Sequence, residues 1–182
     1  MSWDPLDALP PDEPDRSFPR RTCWPERHWL NVPGPFYVGM NDSCWTGRIC
    51  APANVCYGEY QGYTGFHNEY VYRQPRTPTE VLAVVEAAWS DPYSGYAYDG
   101  DEHWTPSAVR EWWKDRGRVR AYVDALAAHW ADSARADERE AAAGLREYGA
   151  YLRCGLAADL RRYLFRLEEG DYPAEGACCP EL

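Results

Sequence analysis

Thr77-Pro78-Thr79-Glu80-Val81-Leu82-Ala83-Val84-Val85-Glu86-Ala87-Ala88-Trp89-Ser90-Asp91-Pro92 divides the chain into two kinds of sequence. A threonine that precedes proline and stands three residues before a glutamate is a capping box with proline at the first helical position. The Thr77 hydroxyl accepts a backbone N–H of the first turn, and Glu80 reaches back to the Thr77 N–H. Leu82, Val85 and Trp89, flanked by Val81, Val84 and Ala88, give the helix an apolar face, and Asp91-Pro92 ends it.

After this stretch the helical signals continue. Thr105-Pro106 opens a second helix, with Trp104 and Val109 spaced as a hydrophobic staple, running through Trp112 and Trp113 to about Gly117. A third helix places Val119, Tyr122, Val123, Leu126 and Trp130 on one stripe, with His129 at the edge of the core. Beyond the charged stretch 132–140, Leu145, Tyr148, Leu152, Leu156, Leu160, Leu164 and Leu167 keep helical spacing to Gly170, a C-terminal stop. Gly149 and Gly155 are the points at which that run bends or splits. Residues 171–182 read as a flexible tail.

Before Thr77 the texture is the opposite. Residues 1–26 interleave six prolines with acidic residues, and proline neither donates a hydrogen bond nor tolerates the preceding helical turn, so this stretch reads as a disordered arm. From 27 to 76 the chain is rich in Gly, Pro, Tyr and Trp. Short strands are expected at 36–38, 55–60 and 69–73, with a turn at 61–65 between the last two. The fold class is therefore α+β: a small antiparallel sheet in the N-terminal half followed by a helical C-terminal half. Residues 27–170 form a single compact domain.

Composition narrows the function. The 182 residues carry 29 acids against 19 bases, a formal charge of −10, which excludes binding to a nucleic-acid phosphate backbone by bulk charge. Residues 1–76 hold nine acids against seven bases and residues 77–182 twenty against twelve, so the acidity sits in the helical half. Lys114 is the only lysine, an arginine bias that, with the alanine-rich runs, reads as GC-rich bacterial codon usage. No apolar run reaches the roughly 18 residues that a membrane span needs, and no basic start leads into an apolar stretch. Neither membrane association nor export is expected, and the location is cytoplasmic. Seven cysteines in a reducing compartment are read as free thiols.

Three groups of residues carry candidate chemistry. Cys44, Cys50 and Cys56 form C-x5-C-x5-C, an alternative zinc or iron site with Cys23, His28 or His67 offered as a fourth ligand. The spacing matches neither zinc nor iron–sulfur patterns, so no cofactor is expected and the thiols read as small hydrophobes. In Asp99-Gly100-Asp101-Glu102-His103-Trp104, three carboxylates precede a helix start, where acids favour the helix dipole. Asp99, Asp101, Glu102 and Trp104 are the expected contacts to a basic protein partner. Alternatively His103, with Glu102 or Asp101, forms an acid–base or metal centre. The third group is aromatic: tyrosines cluster between Tyr57 and Tyr98 and read mainly as a half-buried sheet. His67 and Glu69 share one strand face, with no nucleophile to match. A glycine-rich phosphate loop, a G-x-S-x-G elbow and an H-E-x-x-H helix are all missing from the sequence.

Four segments carry a resemblance. Through Asn31-Val32-Pro33-Gly34-Pro35-Phe36-Tyr37, Asp42-Ser43-Cys44-Trp45-Thr46-Gly47, Glu69-Tyr70-Val71-Tyr72-Arg73-Gln74-Pro75 and Asp99-Gly100-Asp101-Glu102-His103-Trp104-Thr105-Pro106, the chain resembles a group of small uncharacterised bacterial proteins over about residues 28–116. Some of them carry a ferredoxin label, which the cysteine spacing here does not support. The resemblance implies one compact domain and no particular activity. Acidity, aromatic content and missing catalytic motifs together lead to an expected non-enzymatic binding protein, of the immunity or antitoxin kind, that neutralises a basic protein partner. The alternative is a small enzyme of specialised metabolism built on the His103 loop.

Overall fold

The helical half begins where the capping box places it. The computed structural model describes residues 3–11, 24–42, 44–59 and 67–182. Its elements in chain order are 3-10 turns at Pro5–Ala8 and Trp24–Glu26, β1 (Tyr37–Val38), α1 (Gly47–Cys50), β2 (Val55–Glu59), β3 (His67–Val71) and α2 (Pro78–Ser90). There follow β4 (Tyr96–Ala97), a 3-10 turn at Gly100–Glu102, α3 (Pro106–Ala131), α4 (Ala136–Arg153) and α5 (Leu156–Glu169). The architecture is α+β, with small antiparallel ribbons first and helices after.

At the start of α2, Thr77 Oγ1 accepts the Glu80 N–H at 3.2 Å, as a capping threonine should. The Glu80 carboxylate does not reach back to Thr77. It accepts the Arg76 N–H at 2.8 Å and the Asn54 side-chain amide at 3.2 Å, so it joins α2 to the loop before β2. The buried stripe is Val81, Val84, Val85, Ala87 and Ala88, and Leu82, expected inside, is exposed. Gly117 does not end a helix: α3 runs unbroken through it because packing on both sides outweighs its weak propensity. His129, expected at the core edge, is on the exposed face of α3. Between α4 and α5 the split falls at Gly155, whose φ of +114° suits glycine alone, while Gly149 passes within α4.

The strands form two ribbons and not one three-stranded sheet. β2 pairs antiparallel with β3, setting Val55 opposite Val71, Tyr57 opposite Glu69 and Glu59 opposite His67. β1 pairs with β4, a two-residue strand too short to leave a periodicity in the sequence. β3 begins two residues before the expected 69 and stops at Val71. The turn expected at 61–65 and the arm between 12 and 23 lie outside the described residues.

Such short ladders leave many backbone groups without strand partners, and buried side chains take their place. Asn31 Oδ1 accepts the N–H groups of Val38 and Val71 at 3.1 and 2.8 Å, and its amide donates to the His28 and Val38 carbonyls. Gln74 accepts the Phe36 N–H and donates to the carbonyls of Val32 and Phe36. Gly100 lies so close to this knot that a Cβ there would strike the Gly34 carbonyl oxygen and the Pro35 backbone. Three of the four segments that carry the resemblance therefore meet as one structural knot.

Two large clusters and a small one, Tyr37 with Ala97, make the core among the described residues. Leu30, Tyr70, Trp130, Leu145 and Tyr148 pack between β2–β3 and the three long helices. Phe36, Val38, Val55, Val71, Val85 and Tyr96 pack between the ribbons and α2. Within the N-terminal segment, Asp4 caps the first 3-10 turn and pairs with Arg166 at 3.3 Å. Residues 171–182, expected as a flexible tail, hold no helix or strand and lie along α5, where Arg161 donates to the carbonyls of Cys179 and Pro180. Among the described residues no helix is long and apolar enough to cross a membrane.

Candidate functional site

The acidic loop before α3 points mostly inward. Trp104 is only 6% exposed and packs in the main core. Asp101 accepts from the Tyr163 hydroxyl at 2.8 Å and faces Arg166 at 3.6 Å, while burial raises its pKa against both partners. Neither residue offers a face to a partner. Glu102 is exposed, and it does not meet His103 in an ion pair. The imidazole partner is Asp99: His103 Nε2 lies 3.2 Å from Asp99 Oδ2, with side chains 28% and 23% exposed. Asp99 Oδ1 accepts from the Tyr37 hydroxyl at 2.7 Å. Trp24 stacks on the imidazole at 4.7 Å, and Arg27 lies over Trp24. An imidazole oriented by a carboxylate is the usual arrangement of a general base.

The three thiols of the C-x5-C-x5-C run part company. Cys44 is exposed on the loop before α1, Cys50 faces Ser90 at 3.7 Å, and Cys56 is buried in β2, where burial pushes its pKa to about 11. Among the described residues no group of three His, Cys, Asp or Glu side chains could hold a metal ion. Cys23 lies outside the described residues.

His67 and Glu69 do share a face of β3, yet they serve different neighbours. Glu69 is wholly buried, and its carboxylate accepts the Gly47 N–H at 2.8 Å and the Tyr96 hydroxyl at 2.5 Å. Burial raises its pKa to about 7; the Tyr96 and Gly47 hydrogen bonds work against that rise, and neighbouring Asp91 adds to it. Its place is to fix the start of α1 against β3. His67 Nε2 lies 3.2 Å from Glu138 on α4, and Glu138 also accepts from Ser133 at 2.5 Å. This pair ties the ribbon to the α3–α4 turn.

Above His67 lies a feature that the sequence reading missed. Cys44 and Trp45 both have positive φ, +43° and +60°, which lays the Trp45 ring on Tyr57 at 4.7 Å and His67 at 4.5 Å. Trp45, Ile49, Pro52 and Tyr57 then wall a cleft of about 300 Å³ against α4, where Asp137 and Glu140 form its rim. Ile49 is 79% exposed, the most exposed large hydrophobic side chain described. Arg48 crosses the cleft floor to pair with Glu147 at 2.8 Å, and Arg135 pairs with Asp137 at 2.6 Å. Glu140 has no ion pair among the described residues. An isoleucine at the centre of Thr46-Gly47-Arg48-Ile49-Cys50 was the available signal, since a four-residue helix leaves no periodicity to place it. Against known family models, curated proteins and solved structures alike, the chain has no match.

Proposed function

We propose that the protein is an acidic cytoplasmic binding protein that docks on a basic protein partner and occludes it, as immunity and antitoxin proteins do. One observation carries this reading: an exposed isoleucine stands at the mouth of an aromatic cleft whose rim, along α4, is acidic. Among the described residues, Arg48 pairs with Glu147 and Arg135 with Asp137 and Glu138, while Glu140 on the rim has no ion pair. Such a surface draws in a basic face electrostatically and anchors it by an apolar contact. The contact surface thus moves from the 99–104 loop to the Trp45–Ile49 cleft. Native mass spectrometry of the full chain recovered from its own host tests this. A stoichiometric complex with a basic polypeptide, released by Ile49→Asp, is the expected result. The bare chain alone, or a partner that Ile49→Asp still holds, overturns it.

A second reading rests on the Tyr37–Asp99–His103 hydrogen-bonded series, which supports acid–base chemistry at His103 with Asp99 in place of Glu102 or Asp101. Hydrolysis of p-nitrophenyl acetate is its simplest probe. A rate lost in both His103→Ala and Asp99→Asn favours it, and equal rates in all three proteins remove it.

A further inference from the structure

Elsewhere on the surface, sharing no lining residue with the Trp45 cleft, a cavity of about 560 Å³ opens between residues 25–29, Met40, Asn68 and Arg118. Its size is that of a small-molecule pocket. Its charge runs against the rest of this acidic chain, because Arg27 and Arg118 both line it and only Glu26, an exposed side chain, opposes them. Arg27 is half-buried with its guanidinium 3.9 Å from the Trp24 ring and 4.8 Å from the Trp104 ring, and no carboxylate pairs with it among the described residues. Arg118 lies 4.5 Å from the Trp29 ring and, among the described residues, pairs only with the exposed Asp115, at 3.6 Å.

His28 lines the same cavity. It is 7% exposed, and its Nδ1 accepts the Leu30 N–H at 3.3 Å. Burial lowers its pKa to about 4, so at neutral pH the single ring proton sits on Nε2. That N–H is wholly buried beside the Glu59 backbone carbonyl, so it stiffens the wall of the cavity and donates nothing into it. A half-buried cation with no carboxylate partner is costly, and an incoming anion would offset that cost.

We propose that this cavity binds a small organic anion, a carboxylate or phosphate on a flat apolar body. Arg27 and Arg118 hold the charged head, and Trp29, Pro25 and Met40 contact the body. Guanidinium forks suit both anion types, and the indole supplies a flat apolar wall.

Titration calorimetry of the full chain at fixed ionic strength, with benzoate, phenyl phosphate and neutral benzyl alcohol as probes, tests this. At least one anion should bind saturably and at least about tenfold more tightly than the alcohol, and which anion it is tells carboxylate from phosphate. Arg27→Gln and Arg118→Gln should each weaken binding by about tenfold, whereas Arg146→Gln, on the exposed face of α4, should not change it. Absence of saturable binding, equal binding of the alcohol, or the same loss in Arg146→Gln overturns the proposal. Should Arg27→Gln fail to fold, Arg118→Gln decides alone, because Arg118 is exposed and unchanged binding there is contrary evidence.

Discussion

A carboxyl group in the middle of a strand with no solvent around it must exert a pH dependence on the fold. Glu69 keeps its proton up to about pH 7, against an ordinary value of 4.5. Between those values the folded state holds a proton that the unfolded chain has released, so stability falls as pH rises through the window and levels off above it. The full effect is up to about 3 kcal/mol. Glu69→Gln removes this slope, and urea unfolding at several pH values should show wild type losing that amount relative to the variant between pH 4.5 and 7. Parallel profiles would contradict the burial. His28 runs the other way: its pKa falls from 6.5 to about 4, so the unfolded chain takes up the proton first and stability is lost as pH falls through that range. Neither residue's burial could be read from the sequence. Glu69 alternates with His67 on a visible strand face, but what lies over that face comes from a loop and from Tyr96, far away in the chain.

Helix starts were legible because a cap is local chemistry. Thr77 and Thr105 each accept a backbone N–H three residues on, at 3.2 Å, as their sequences imply. Strand partners were not legible, since β4 has two residues and β1 pairs with it across the whole of β2, β3 and α2. Glycines separate the two cases. At Gly117, where a Cβ would meet nothing within 4 Å, Gly117→Ala should raise stability by about 0.5–1 kcal/mol in urea unfolding. At Gly100 the added methyl would strike backbone atoms of residues 34 and 35, and Gly100→Ala should cost about 1–3 kcal/mol or more. The opposite ordering of the two variants would mean that the knot between residues 31–36, Gln74 and Gly100 is looser than drawn.

At the scale of the molecule, the charge of −10 and its concentration after Thr77 were plain in the sequence, but which acids stay on the surface was not. The 99–104 loop looked like a surface because its residues are polar; Tyr37, Tyr163 and Arg166, from distant parts of the chain, turn two of its acids inward. The Trp45–Ile49 cleft stayed hidden because it needs two successive positive φ values and a helix from the other half of the chain. The binding account depends on that cleft. Its most direct test is the kinetics of association between the chain and any basic polypeptide that co-purifies with it from its own host, for wild type, Ile49→Asp and Glu140→Lys. Ile49→Asp should weaken affinity by at least about 30-fold, mostly through faster dissociation, and Glu140→Lys should slow association in a salt-sensitive way. Unchanged rates in both variants would place the partner elsewhere and contradict the account.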